Sequence, residues 1–375
     1  MLLANLHISV AHQIVGRSPA EFFSQETGLH RKRWDRGTAL PALVERLREG
    51  DGEDLHTALL LQLMAPPKAP TPRVPRGALD HMSGICAVLA HGLGVLDDQA
   101  SPATWDLIAT FDAADRLLFS AFENDDLEAF RRQFVPGTVL SSAYLAPLRV
   151  AESDAESALP EEDRKVTQLV QRRRAHMALS YLACVDHELQ RRIEGNEALR
   201  ALSGRSRFAM LIATPAAEVR ARHRPDDPLA RLVDLVAASC QALGGSGWPR
   251  ARPSVKAMGR NAELTVEAAG DPTSFIRKLR SGERPLTRDA FAKLVRSQLP
   301  TKYPLPKVDE AVRLFIPFLH AAHHLTALMP RHPRTSIHLD RAGWRAAYLE
   351  WWQRHAPHHP PAQPTTPAPA WLIEP

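Results

Sequence analysis

Residues 262–299 read AELTVEAAGDPTSFIRKLRSGERPLTRDAFAKLVRSQL. Ala262 to Ala269 has the composition of a short helix, and Gly270 interrupts it with the one residue type that turns at positive φ without strain. Asp271 is placed to cap a second helix, with Pro272 at its first position, where the missing N–H costs nothing. From Pro272 to Ser281, Phe275, Ile276 and Leu279 recur at the spacing of one helix face, which leaves Thr273, Ser274, Arg277, Lys278 and Arg280 more exposed. Gly282 ends this helix, and Pro285-Leu286-Thr287 opens a third that carries Ala290, Phe291, Leu294, Val295 and Leu299 inward. The stretch predicts short helices meeting at tight turns, with no strand among them.

The charge of the chain is concentrated around the same residues. Arg250 to Pro300 holds eleven basic and five acidic side chains, a net +6, while the whole chain carries +5. The rest is therefore close to neutral, and the positive potential belongs to one segment.

Order and chemistry together resemble the phage-repressor and Cro-like helix-turn-helix family. That family's pattern is a turn Gly, an inward Ile, a second Gly, then a basic pair and a Pro. Gly270, Ile276, Gly282, Arg284 and Pro285 carry it here, and the likeness spans residues 252–299. It departs at Val266, where the family has a small Ala, and at Asp271, where an apolar residue is common. The resemblance implies double-stranded DNA as partner. Thr273, Ser274, Arg277 and Lys278 would then face base edges, while Arg280, Arg284 and Arg288 would hold phosphates. The competing reading is a solvated basic hairpin that packs against protein.

Outward from this unit the chain reads as an all-α, multi-helical protein with the helix-turn-helix in its C-terminal third. Residues 1–64 form an N-terminal helical unit, and 65–78 a Pro-rich linker. Residues 79–243 form a central helical domain, in which Ser101-Pro102 starts one helix and Glu162 to Arg192 forms a long one. Gly244 to Pro249 is a second break before the unit at 250–300. Helices are expected again in 301–352, from about Val308 to Met329 and from Arg341 to Trp352, and 353–375 reads as a disordered Pro-rich tail. Phe208 to Ala213 permits a short β element.

Several weaker signals compete with plain structural roles. Ser18 to Gly37 suggests a second helix-turn-helix around Gly28, although a basic loop between core helices explains it as well. His320, His323 and His324 share a helix face, but no carboxylate or Cys lies close in sequence to complete a metal shell, so they read as core or interfacial histidines. Asp186-His187-Glu188 sits inside a helix, where consecutive side chains diverge and cannot converge on one reacting atom. The Arg172-Arg173-Arg174 run reads as a solvated face, and the sequence leaves open whether Trp344, Trp351 and Trp352 are core or partner surface.

Composition sets the outer limits. With 44% hydrophobic and 24% charged residues the chain has ordinary globular usage. The three cysteines, Cys86, Cys184 and Cys240, form no CxxC pair, so neither a disulfide framework nor a thiolate zinc site is expected, and a reducing cytoplasm fits them. The apolar stretch Leu314 to Met329 contains Pro317 and three histidines, too polar for a membrane span. No phosphate-binding, dinucleotide or nucleophile-elbow motif occurs, nor HExxH, so no catalytic residue, metal ligand or cofactor is assigned.

The function expected is a DNA-binding regulator of transcription or of a mobile element, acting as a homo-oligomer or with protein partners, because one helix reads few base pairs. The alternative is a non-catalytic subunit of a nucleic-acid-processing or defence assembly. In that case the basic hairpin would contact backbone phosphates or a partner. A metal-dependent enzyme built on the His320 region is a third reading.

Overall fold

The computed structural model describes residues 4–16, 86, 90–91, 93–97, 99–111, 161–212, 227–261, 271–300, 302–329 and 341–356. All regular structure among them is helical, with no strand. The main helices are α1 (Ala4–Val15), α2 (102–111), α3 (Glu161–Glu194), α4 (Pro228–Gln241), α5 (Val255–Asn261), α6 (Pro272–Ser281), α7 (Arg288–Gln298), α8 (Leu305–Leu328) and α9 (Arg341–His355).

Helix α8 is the axis of the packing, with α1, α3, α4 and α7 against it. Every residue from Phe315 to Leu325 is buried, Pro317 included. A helix that is covered on all sides must be apolar all round or bring partners for its polar groups. The polar residues in that run are His320, His323 and His324.

Residues 175–190 of α3 are also buried all round, and their polar side chains are paired. Asp186 and Arg207, both fully buried, form an ion pair at 2.6 Å. The Asp186 carboxylate also accepts from the Arg207 and Phe208 backbone N–H groups, Ser206 Oγ and Tyr348 Oη. Such a pair survives burial because nearly every lone pair is used, and removing one partner from it typically costs about 3–5 kcal/mol. Its neighbours turn elsewhere. His187 Nε2 lies 2.7 Å from the Trp352 carbonyl, and Glu188 accepts from Ser101 and Thr104. The three consecutive residues do diverge, as helical geometry requires.

This arrangement also corrects the expectation of a β element at Phe208 to Ala213. Phe208–Leu211 is a turn of 3-10 helix with all four side chains buried. Asp186 takes the Phe208 N–H and Ser206 Oγ takes the Ala209 N–H, so those donors are satisfied locally and have no use for a ladder.

Local caps follow the sequence closely. Ser101 Oγ accepts from the Thr104 N–H at the start of α2. Asp227 caps α4 with Pro228 behind it, and its carboxylate also receives the Thr326 hydroxyl of α8. After α4 the chain turns through Gly244–Gly247, with Gly245 and Gly247 at φ 82° and 70°. A Cβ on Gly244 would stand 2.5 Å from the Pro300 ring, so glycine is required there by close approach.

Helices on both sides of that break share one hydrophobic cluster, which joins Leu232 and Val236 of α4 to Ile276 of α6, Phe291 of α7 and Phe318 of α8. At the other edge, Trp344, Tyr348 and Trp351 of α9 pack into the same cluster on α3. Trp344 and Trp351 are therefore core, and Trp352 is half-buried beside His187. No described helix is long and apolar enough to cross a membrane.

Candidate nucleic-acid interface

Helix α6 forms as its sequence dictates. Both Asp271 carboxylate oxygens accept, from the Thr273 and Ser274 N–H groups at 3.1 Å each. Pro272 occupies the first turn, and Gly282 ends the helix at φ 73°. Phe275, Ile276 and Leu279 are buried against α4 and α5. Helix α7, capped by Thr287, turns Ala290, Phe291, Leu294 and Val295 inward beside them. Gln298 then reaches from α7 to the Met258 carbonyl and fixes the end of α5.

The first helix of the expected motif, Ala262 to Ala269, and Gly270 lie outside the described residues, as do the echo at Ser18 to Gly37, the 65–78 linker and the 357–375 part of the tail.

The seven residues singled out in the sequence, five of them in α6, fall into different environments. Arg277 and Lys278 are exposed on the face opposite the buried stripe, with Ser274 half-buried one turn before them. Thr273 is half-buried against α5, where a Cβ on Gly259 would meet its Oγ1 at 2.5 Å. Arg288 is exposed at the start of α7. Arg284 lies with its guanidinium 4.8 Å from the Phe275 ring centroid, a cation–π contact that holds it over the end of α6.

Arg280 is committed elsewhere. Its guanidinium lies 3.3 Å from Asp234 of α4, which is itself almost fully buried and also takes Arg252 at 2.6 Å. The two arginines and one carboxylate clamp α6 and the strand-free segment before α5 onto α4. Nothing local in the sequence marks Asp234, because an ion pair between helices 46 positions apart leaves no periodic signature. Arg277, Lys278, Arg288 and Lys293 are exposed, as is Lys256 of α5.

A second polar cluster lies in the core. His320 and His324 of α8 meet His7 of α1, all fully buried. His7 Nδ1 lies 2.9 Å from His324 Nε2, His324 Nδ1 is 3.0 Å from the His320 carbonyl, and Tyr181 Oη of α3 is 3.1 Å from His320 Nε2. Burial pushes all three imidazoles well below their usual pKa, His324 to about 3, so they are neutral. His323 points the other way, with Nδ1 3.0 Å from Gln13 Oε1 and Nε2 2.9 Å from the Leu286 carbonyl. All three histidines of α8 are buried, as a core position requires. His7, more than three hundred positions away, could not be associated with them from the sequence.

Comparison with protein-family models, with curated proteins and with solved structures finds no match to this chain.

Proposed function

We propose that the chain binds double-stranded DNA through α6, as a regulator of transcription or of a mobile element. The observation that carries this reading is the division of α6 into two faces. Three apolar side chains anchor it to the core while Arg277 and Lys278 project from the opposite face of a helix capped at both ends. A short, rigid, cationic helix of this kind fits a major groove of about 12 Å width. Arg277 takes guanine bidentately, Lys278 and Ser274 supply further donors, and Arg284 and Arg288 hold flanking phosphates. Arg280 acts indirectly, through Asp234, by holding α6 in place.

Because one helix contacts few base pairs, the reading includes self-association on a two-fold operator. Phosphate neutralisation releases counterions, so affinity falls steeply as salt rises.

The test is selection of bound duplexes from a random pool at physiological salt, followed by titration of the winning sequence. Arg277→Ala and Lys278→Ala are each expected to weaken that complex by about 1–3 kcal/mol. Both side chains are exposed, so thermal stability should move by less than about 0.5 kcal/mol. Equal affinity for every duplex would direct attention to the alternative, a subunit that touches nucleic acid or a partner without reading sequence. Unchanged affinity in both variants would remove α6 from the interface.

A further inference from the structure

The buried trio of His7, His320 and His324 has the donor chemistry of a metal site. Residues 320 and 324 are one helical turn apart and so share a face, and α1 lays His7 across them. The ring centroids are 4.1 Å apart for His320 and His324, 4.7 Å for His7 and His324, and 5.7 Å for His7 and His320. One ring nitrogen from each lies within 4.8 Å of the other two. Four-coordinate zinc, bound at about 2.0–2.1 Å, would set its nitrogens about 3.4 Å apart, a spacing that small side-chain rotations reach from here.

The atoms that face one another are His7 Nδ1 and His324 Nε2, 2.9 Å apart, and His320 Nε2, 3.1 Å from Tyr181 Oη. His324 is, moreover, already set for coordination. Its Nδ1 donates to the His320 carbonyl, which fixes the tautomer and leaves the Nε2 lone pair facing the cluster, the usual outer-shell arrangement of a metal-bound histidine.

We propose that His7, His320 and His324 bind a zinc ion, with the Tyr181 phenol oxygen as fourth ligand. Imidazole nitrogens with one oxygen suit zinc or a neighbouring transition metal and do not suit calcium or magnesium, which require a shell of oxygens. On binding, the ion replaces the His7–His324 hydrogen bond, the His7 ring proton moves from Nδ1 to Nε2, and Tyr181 gives its proton to solvent, so one protein charge offsets part of the cation's. Complete burial leaves no position open to a substrate, which makes the site structural. It fastens α1 to α8 and α3, and it stands whether or not α6 binds DNA.

The experiment uses the full chain, expressed with added zinc and dialysed against metal-free buffer, with metal content measured by elemental analysis. About one zinc per chain is expected to remain, and refolding with Co²⁺ is expected to give the visible absorption of a four-coordinate site. His324→Gln and His7→Gln should lose the metal, whereas His323→Gln, whose ring nitrogens serve Gln13 and Leu286, should keep it. Should the histidine variants fail to fold, Tyr181→Phe preserves the packed ring. It is expected to weaken zinc roughly tenfold or more in competition with a chromophoric chelator. The proposal is overturned if the wild-type chain holds no metal as purified and takes up neither ion on refolding. It is equally overturned if His323→Gln loses as much metal as His324→Gln, or if Tyr181→Phe binds zinc as tightly as wild type.

Discussion

Glu188 shows how a single side chain is made tolerable in this core. Its carboxylate is almost fully buried, and it accepts from the Ser101 N–H at 3.0 Å, from Thr104 Oγ1 at 2.5 Å and from the Arg191 guanidinium. Burial alone would raise its pKa, but the donors from Ser101, Thr104 and Arg191 outweigh that and hold it below the usual carboxylate value. A folded-state pKa below the unfolded one means that the unfolded chain binds the extra proton first. The stabilisation is therefore complete above about pH 4.5 and is lost as pH falls through the folded-state value. Glu188→Gln should flatten the acid limb of unfolding free energy against pH without altering the neutral plateau's slope. An acid limb as steep as wild type would assign the loss to other carboxylates. The Ser101 turn was legible in sequence as an N-cap followed by proline, whereas the carboxylate that completes it comes from a residue 87 positions away.

At the scale of the element, α6 is the clearest case of structure written locally. Asp271, Pro272, the apolar residues at 275, 276 and 279, and Gly282 each act within one or two turns, so their reading needed no knowledge of the rest of the chain. Asp271→Ala removes a side chain that satisfies two backbone donors and is expected to lower stability by about 1 kcal/mol. Gly282→Ala forces a Cβ into φ 73° and is expected to cost about 1–2 kcal/mol. Ten residues separate the two sites, so in chemical denaturation the double variant should show close to the sum, and a marked shortfall would mean that the ends of α6 are coupled. What the sequence withheld about this helix is its anchorage. The outward list included Arg280, which faces Asp234 of α4, and Thr273, which rests on α5. Periodicity distinguishes inward from outward on a helix, but it does not distinguish solvent from a neighbouring helix.

Across the whole molecule the all-α class was legible because helical spacing repeats in every described segment, while the shared core was not. Breaks such as Gly244 to Pro249 look like boundaries in sequence, yet the helices on either side bury their faces together. Helix α1 belongs to that common core, with Leu6, Val10 and Ile14 buried against α8. Ile14→Ala is therefore expected to lower global stability by about 2–5 kcal/mol within a single unfolding transition. Two separate transitions in calorimetry would show α1 detaching by itself. The same pairing of chain start with α8 bears on how the protein is made. About 290 residues lie between Ile14 and Leu305, and at about 5–20 residues per second a ribosome needs roughly 15–60 s to traverse them. Throughout that interval the apolar stripe of α1 has emerged without α8, the helix it packs against. The nascent chain is thus a natural client for holdase chaperones, and any pause in translation upstream of α8 lengthens its period of risk.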